Sequence, residues 1–482
     1  MFFNSLDFAI FLPVVFLLYW YVVSKRVVYQ NALIVVASYV FYAWWDWRFL
    51  SLIVISTFLD YLVAQKLRTE ERLFNRKLLL GLSIFTNIGF LAFFKYYNFF
   101  IENFSSAFTL LGYQIQANTL EIILPVGISF YTFQTLSYTI DVYRKKIIPT
   151  DDFIAFSAFV CFFPQLVAGP IERATHLLPQ FYSKRHFVYA NAVDGLRQIL
   201  WGLFKKVVIA DNCAYFANEI FNHSATMNGS SLALGAFFFS FQIYGDFSGY
   251  SDIAIGTSRL FGFDLKQNFS YPYFSRDIAE FWRRWHISLS TWFRDYLYIP
   301  LGGSRGGLWM KIRNTFIIFL VSGFWHGANW TFIVWGGLNA FYFLPLMFAK
   351  KNRDHLDVVA AGMHWPSFKE LRGMLFTFSL SAFAWIFFRA EDINHAALYV
   401  SGLFSFSLFD FPNLSEPRQA FFTILWLALF LSIEWLGRGQ KYALEQFAFN
   451  WSKPIRVCVY YLIVISILWF GGTEQDFIYF QF

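Results

Sequence analysis

The chain has 482 residues, of which 57% are hydrophobic and only 14% are charged, and its formal net charge is +7. A soluble domain carries roughly 25% charged residues, so this composition excludes an ordinary soluble protein and predicts an all-helical membrane protein. The modest net charge, without a Gly-rich phosphate loop or a nucleic-acid motif, gives no reason to expect a nucleic-acid ligand. The three cysteines are scattered without CxxC or zinc spacing, which argues against a disulfide framework and a metal site.

Apolar runs that approach the length of a membrane crossing recur along the whole chain. The first, Phe8–Val23, lacks the basic flank and cleavage site of a signal peptide, so we expect it to remain as a spanning helix. We expect about eleven or twelve passes in one membrane domain over 1–482, with its core at about 121–345 and peripheral spans at 1–120 and 370–482. The predicted spans lie at about 8–23, 32–44, 49–64, 78–94, 122–140, 232–244, 253–263, 374–388, 397–409, 421–435 and 457–470.

Basic residues mark three of the connections between the predicted N-terminal spans. These are Lys25-Arg26, the segment Lys66–Lys77 and the segment Arg144–Lys146. Lys and Arg accumulate in cytoplasmic loops. If the N-terminus lies outside, all three connections fall in the cytoplasm, so the pattern predicts an extracytoplasmic N-terminus.

Two segments do not fit a simple crossing. The run 153–168 contains Pro164 and has basic residues on both sides, which favours a re-entrant or interfacial hairpin. The run Leu196–Ala210 carries Lys205 and Lys206 in its middle, a pattern typical of an amphipathic interfacial helix. We therefore expect re-entrant and interfacial helices beside the spanning ones.

Two carboxylates, Asp246 and Asp252, interrupt the apolar pattern between residues 232 and 263. Ionisable groups inside a membrane are costly, so we expect both to face a cavity or a cationic partner. A capped kink is the alternative, because Asp246 and Ser248 are also good helix-start residues.

The stretch 276–339 departs most from ordinary membrane sequence. A basic, aromatic segment holds His286, a Gly-rich turn follows, and an apolar run carries Trp325-His326-Gly327 into hydrophobic surroundings. A second apolar run leaves again, which predicts a membrane hairpin over 315–348 with His326 near its turn. A histidine at that depth indicates a functional site, although a neutral histidine that joins two helices is the alternative. For His286, near an interface, function and structure are equally good explanations.

The motifs around these histidines resemble those of a known family. FWRRWHISLSTWFRDYLYIPLGGSR, with His286, and FWHGANWTFIVWGGLN, with His326, are similar to the membrane-bound O-acyltransferase (MBOAT) family. YGDFSGYSDIAIG, PVGISFYTFQTLSYTIDVYR, FPQLVAGPIER and the closing FIYFQF resemble its bacterial branch of alginate and peptidoglycan O-acetyltransferases. The resemblance implies a ring of tilted transmembrane helices around a central funnel in a bacterial inner membrane. It also implies that His326 aligns with the family's near-invariant histidine and His286 with its second polar position.

The resemblance implies transfer of an acetyl group from cytoplasmic acetyl-CoA, as co-substrate, toward hydroxyls of an extracytoplasmic polysaccharide such as alginate or peptidoglycan. It implies a separate SGNH-type acetyltransferase partner on the outer face and no covalently bound cofactor. We expect His326 to be the general base, because imidazole can take a proton near neutral pH, and His286 to orient an oxygen or assist proton transfer. The candidate tunnel or substrate residues are Trp325, Asn329, Trp330, Asp246 and Asp252.

Guanidinium and ammonium groups bind phosphates, so basic residues near the histidines are candidates for the donor site. The same residues also fit a topology signal with lipid headgroup contact. These candidates are Arg283, Arg284, Arg305, Lys311 and Arg313.

Other functions stay open at this point. A transporter of an acyl group or solute also uses broken helices and embedded polar residues, although the two halves of the chain show no inverted repeat. The acceptor could also be cellulose, teichoic acid that receives D-alanine, a lipid or a protein. A scaffold that only recruits a partner would leave the embedded histidine unexplained.

Overall fold

The structure is a computed structural model that describes residues 1–114, 118–167, 169–471, 475, 477 and 478. Among these residues there are helices and connecting segments but no strand, which confirms the all-helical class. Residue 168 of the FPQLVAGPIER motif and residues 479–482 of the closing motif lie outside the described part. The described chain divides into two compact units, Met1–Val193 with Thr257–Lys266 and Asp194–Gly256 with Gln267–Phe482. The single membrane domain over 1–482 stays a prediction.

Six helical stretches among the described residues are long and apolar enough to cross a bilayer. They confirm a multi-pass helical membrane protein, while the side that each terminus faces stays a prediction. The stretches are Val27–Thr69, Leu73–Leu110, Trp330–Phe348, Phe368–Arg389, Pro417–Gly437 and Lys453–Phe470.

The first unit contains nine complete α-helices among its described residues. Pro164 lies in the first turn of its own short helix, where proline is tolerated, and this break at Phe162 interrupts the segment that we expected to be re-entrant. The helices are α1 (Leu6–Leu17), α2 (Val27–Asp46), α3 (Leu50–Thr69), α4 (Leu73–Leu91), α5 (Tyr97–Leu110), α6 (Ile128–Tyr143), α7 (Phe153–Cys161), α8 (Phe163–Leu166) and α9 (Ala174–Leu177).

The second unit holds both candidate histidines. A π-helical segment, Phe204–Ala210, continues α10, and a second one, Arg294–Tyr298, continues α14. The helices that lie wholly or mostly in this unit are α10 (Tyr189–Leu203), α11 (Asp211–Asn222), α12 (Gly229–Leu260), α13 (Ile278–Arg284), α14 (Ile287–Phe293), α15 (Leu308–His326), α16 (Trp330–Phe348), α17 (Phe368–Arg389), α18 (Ile393–Leu403), α19 (Pro417–Gly437) and α20 (Lys453–Phe470).

The two spans predicted at 232–244 and 253–263 are one helix. Helix α12 runs for 32 residues without a break, so Asp246 and Ser248 lie in its interior and the capped kink is wrong. A glycine face explains the continuity. A Cβ at Gly245, Gly249 or Gly256 would press on the backbone of the segment that contains α10 and its π-helical extension. Small residues at this spacing allow two helices to approach closely.

The interfacial helix predicted at 196–210 is also corrected. All residues of Phe204–Ala210 are buried, and the side chains that suggested a surface face, Lys205 and Lys206, are only 3% and 1% exposed. Their positive charges point into the unit rather than toward a headgroup layer. Because a buried charge needs a partner, this segment must meet acidic groups in the interior.

The predicted helical hairpin is confirmed, with α15 beginning earlier than expected, while its place in the membrane stays a prediction. Helices α15 and α16 pack against each other on both sides of a turn at residues 327–329. Gly323 and Gly336 make this packing possible, because a Cβ at either would collide with a main-chain carbonyl of the opposite helix, that of Phe332 or Phe319. His326, the last residue of α15, therefore lies directly at the turn.

Candidate active site

His326 lies in an aromatic cluster and is only 4% exposed. Its imidazole meets the rings of Trp325, Trp335 and Phe388 edge-on, at centroid distances of 4.9, 5.1 and 5.2 Å. These rings come from α15, α16 and α17. Because edge-to-face packing is a favoured aromatic geometry, three helices together hold the imidazole in one orientation.

His286 lies at the start of α14 and is also buried, at 1% exposure. Its backbone is left-handed, with φ of +43°, a conformation that is uncommon for a residue with a side chain. The Nδ1 atom lies 3.0 Å from Oδ1 of Asn268, and Phe247 meets the ring edge-on at 4.7 Å. Burial lowers the pKa of His286 to about 3, so the ring is neutral at pH 7.

Trp325 connects the two histidines. Its ring centroid lies 6.3 Å from that of His286 and 4.9 Å from that of His326. A second chain of rings runs from Trp285, beside His286, to Trp385 at 5.0 Å, and Trp385 stacks on the indole of Trp335 at 5.6 Å. The structure therefore brings both sequence-predicted histidines and Trp325 into one buried aromatic cluster.

Asp246 and Asp252 have the cationic partners that their burial demands. The Nζ atom of Lys206 lies 2.9 Å from a carboxylate oxygen of Asp246 and 2.9 Å from one of Asp211. The Nζ atom of Lys205 lies 2.6 Å from Asp252. The lysines expected at the membrane interface are therefore the partners of the two aspartates. The prediction of cationic partners for Asp246 and Asp252 is confirmed.

A small polar cavity adjoins this ion-pair network. Its free volume is about 10 Å³, which is near the minimum for one water molecule. Lys205, Asp252 and Glu434 line it, and the hydroxyl of Tyr244 donates to Glu434 at 2.8 Å. Asn268 lies in the same wall, so the residue that contacts His286 also borders the cavity.

Two tunnel candidates, Asn329 and Trp330, lie at the beginning of α16. Asn329 caps α16, where its Oδ1 accepts from the N–H of Thr331 at 3.0 Å and its Nδ2 donates to the carbonyl of Glu391 at 2.6 Å. Trp330 is 53% exposed. Trp330 is thus more exposed than the rings around His326, and the contacts of Asn329 are those of a helix cap.

Two of the five basic donor candidates bind other protein groups. Arg283 donates to the carbonyls of Asn352 and His355 at 2.9 and 2.7 Å. Arg284 forms an ion pair with Glu280 at 2.8 Å. These contacts stabilise the segment around α13 and leave the two guanidinium groups less available for a phosphate.

The other three basic candidates are near the Gly-rich turn. Arg313 donates to the carbonyl of Leu301 at 3.1 Å and to Asn314. Arg305 is exposed and Lys311 is half-buried. Within the described part of the chain, the side chains of Arg305 and Lys311 make no hydrogen bond or ion pair, which leaves these two cations the most available.

Known proteins match this chain along most of its length. The model of the MBOAT, membrane-bound O-acyltransferase family matches residues 144–362, which include both histidines. The chain is 37% identical to the probable alginate O-acetylase AlgI of Pseudomonas putida over 98% of each chain. The chain belongs to the membrane-bound O-acyltransferase family. It is also 40% identical to the probable alginate O-acetylase AlgI of Pseudomonas aeruginosa, over 90% of this chain and 80% of that one, and 34% identical to the peptidoglycan O-acetyltransferase of Helicobacter pylori, over 98% of this chain and 95% of that one.

Several buried polar groups near the candidate site of this membrane-bound O-acyltransferase are not identified by the sequence motifs. Glu434 is a single acid in the apolar run of α19, and Lys205 and Lys206 lie in another apolar run, so opposite charges in separate apolar segments were an available signal. Asn268 gave no such signal. It is an ordinary polar residue in a loop, and its contact with His286 appears only after folding.

Proposed function

We propose that this O-acyltransferase moves an acetyl group from cytoplasmic acetyl-CoA toward hydroxyls of an extracytoplasmic polysaccharide. Two relatives that match over 98% of the chain, named for alginate O-acetylation and peptidoglycan O-acetylation, support the acetyl group and the glycan acceptor. The observation that carries the proposal is the burial of His286 and His326 around Trp325 in one aromatic cluster. A site of this kind can exclude water, which would otherwise hydrolyse the thioester.

In the proposed reaction, His326 is the general base. It takes the proton from a hydroxyl group of the acetyltransferase partner, the immediate acceptor in this route, as the oxygen attacks the thioester carbonyl carbon. A C–O bond forms, the C–S bond breaks, and the proton passes from the imidazole to the coenzyme A sulfur, so that the products are an ester and a free thiol. A positioned base of this kind accelerates a reaction by about 10²–10⁴-fold. His286, which is neutral because burial lowers its pKa to about 3, assists the proton transfer as a second proton acceptor.

Because His326 is only 4% exposed, the proposal requires a passage that brings both substrates to it. We assign this passage to a funnel inside a ring of tilted helices, the arrangement that the family resemblance implies. The phosphates of acetyl-CoA would bind at the cytoplasmic end, where Arg305 and Lys311 are the most available cations. An extracytoplasmic N-terminus and an SGNH-type acetyltransferase partner that passes acetyl to the glycan complete the proposal.

The purified protein in lipid vesicles with radiolabelled acetyl-CoA tests this function. We expect label to leave coenzyme A and to appear as an O-acetyl ester on an alginate or peptidoglycan fragment when a soluble SGNH-type acetyltransferase is added. Consumption of a D-alanyl thioester but not of acetyl-CoA would favour the teichoic acid alternative. Passage of acetyl-CoA or another solute without thioester cleavage would favour a transporter. Either of these two results would contradict the proposal.

A further inference from the structure

The side chain of Asn268 is fully buried, and several hydrogen bonds fix its orientation. Its Oδ1 accepts from the N–H of Ser288 at 3.2 Å and from the hydroxyl of Ser288 at 2.8 Å. At the other end of the amide, Nδ2 donates to the hydroxyl of Ser251 at 3.1 Å. Because a backbone N–H can only donate, the amide atom that faces it must be the oxygen, and the amide cannot be turned around.

This orientation determines which nitrogen of His286 carries the proton. Nδ1 lies 3.0 Å from Oδ1 of Asn268. An amide oxygen has no hydrogen to donate, so Nδ1 must be the donor. A neutral imidazole has a single N–H. With the proton on Nδ1, Nε2 carries the lone pair and becomes the nitrogen that accepts a proton or a hydrogen bond.

Asn268 also holds the backbone around His286. Its carbonyl accepts from the N–H of Ile287 at 2.9 Å, while its side chain binds Ser288. His286, directly before these two residues, has the left-handed backbone conformation with φ of +43°. A strained conformation of this kind persists only where the surroundings over-determine it, and it occurs most often at functional sites.

We propose that Asn268 is a positioning residue for acyl transfer: it fixes His286 in the Nδ1–H tautomer and so leaves Nε2 as the nitrogen that accepts a proton during the transfer. The aromatic rings of Phe247, Phe269 and Trp325 pack against the imidazole and hold its plane. The amide of Asn268 then sets the direction of the single proton. This inference rests on the proposed function only in the step that uses Nε2, because the tautomer itself can be observed without any activity.

Solid-state NMR of the full chain in lipid vesicles, with ¹⁵N-labelled histidine, tests the tautomer. The His286 signals are assigned as those that disappear in His286→Gln. We expect wild-type His286 to show a protonated Nδ1 and an unprotonated Nε2, and Asn268→Leu to lose this single tautomer. A wild-type His286 with its proton on Nε2, or an unchanged tautomer in Asn268→Leu, would overturn the proposal whether or not the chain acetylates a glycan.

Kinetics test the role in transfer. We expect Asn268→Leu to lower kcat by about 10²-fold, within the range for a misplaced proton acceptor, while KM for acetyl-CoA changes by less than about 3-fold. Asn268→Asp keeps an acceptor on Nδ1 but stabilises the imidazolium. Asn268→Asp should therefore restore most of kcat at high pH. It should also shift the acidic limb of the pH–rate profile to higher pH.

The control is Asn212→Leu, because the amide of Asn212 donates only to carbonyls of the neighbouring helical turn, Val207 and Val208, among the described residues. It should keep wild-type kcat and a wild-type pH profile. If Asn268→Leu has wild-type kcat, or if the pH–rate profile of Asn268→Asp coincides with that of wild type, Asn268 has no positioning role. Absence of acetyl transfer by the wild-type chain, with the expected tautomer present, would contradict the proposed function instead.

Discussion

Replacement of Lys206 should destabilise the second unit strongly. The Nζ atom of Lys206 lies 2.9 Å from both Asp211 and Asp246 and 3.0 Å from the carbonyl of Gln475. The side chains of the lysine and the two aspartates are all at most 4% exposed. Lys206→Met keeps most of the side-chain volume but leaves two buried carboxylates without their cation. Removal of one partner from a buried ion pair costs about 3–5 kcal/mol, and we expect Lys206→Met to reach at least that range.

The size of the effect should follow the number of charges left without a partner. Asp246→Asn leaves Lys206 paired with Asp211, so we expect a loss of about 1–2 kcal/mol, the cost of a weakened buried hydrogen bond. The triple variant Lys206→Met, Asp211→Asn, Asp246→Asn removes all three charges. Because uncharged replacements of a buried ion pair are often close to neutral, it should recover most of the stability that Lys206→Met loses.

Thermal unfolding of the detergent-solubilised variants measures this order. Lys184→Met is the matched control, because Lys184 is an exposed lysine and exposed charges contribute about 0–1 kcal/mol. The expected order of midpoints is wild type and Lys184→Met highest, then the triple variant and Asp246→Asn, then Lys206→Met. A wild-type midpoint for Lys206→Met would refute the reasoning that these charges depend on one another.

Three further outcomes follow from the structure. Gly323→Val should prevent a monodisperse fold, because its side chain would collide with the carbonyl of Phe332, whereas Gly307→Val, with no atom within 4 Å of its Cβ position, should behave as wild type in size-exclusion chromatography. Acidification should destabilise the protein through His286: an unfolded imidazole binds its proton below pH 6.5 and the buried ring only near pH 3, so stability falls by about 1.4 kcal/mol per pH unit inside that window. In His286→Gln, the melting temperature should therefore fall less between pH 7 and pH 5 than it does in wild type. An equal fall in the two proteins would contradict this prediction. Replacement of Arg305 and Lys311 by Gln should raise KM for acetyl-CoA by about 10-fold, the effect of losing about 1.4 kcal/mol of binding, and an unchanged KM would place the donor phosphates elsewhere.

The sequence predicts features that local pattern determines. The hairpin of α15 and α16 follows from two apolar runs that flank a Gly-rich break, so His326 was correctly expected at its turn. The continuity of α12 could not be predicted this way, because polar residues inside an apolar run also fit a helix start. The glycine face of α12 that packs against the α10 segment is visible only in the folded structure.

Ion pairs and hydrogen bonds between distant segments can be predicted from the sequence only in part. The burial cost of Asp246 and Asp252 predicts cationic partners, but not which of the 38 basic residues supplies them. Lys205 and Lys206 looked like a surface face because hydropathy alone does not distinguish a buried, paired lysine from an interfacial one. The role proposed for Asn268 depends on three hydrogen bonds at its Oδ1 that form only in the folded chain.

Acetyl transfer by the His326→Ala variant, measured beside wild type and His364→Ala in the same lipid vesicles, tests the central claim most directly. His364 is an exposed histidine and serves as the matched control, and comparable accumulation of all three proteins confirms that each inserts. We expect His326→Ala to lose about 10²–10⁴-fold of the transfer rate from acetyl-CoA, while His364→Ala keeps it. A wild-type rate for His326→Ala would show that the buried imidazole is not the base.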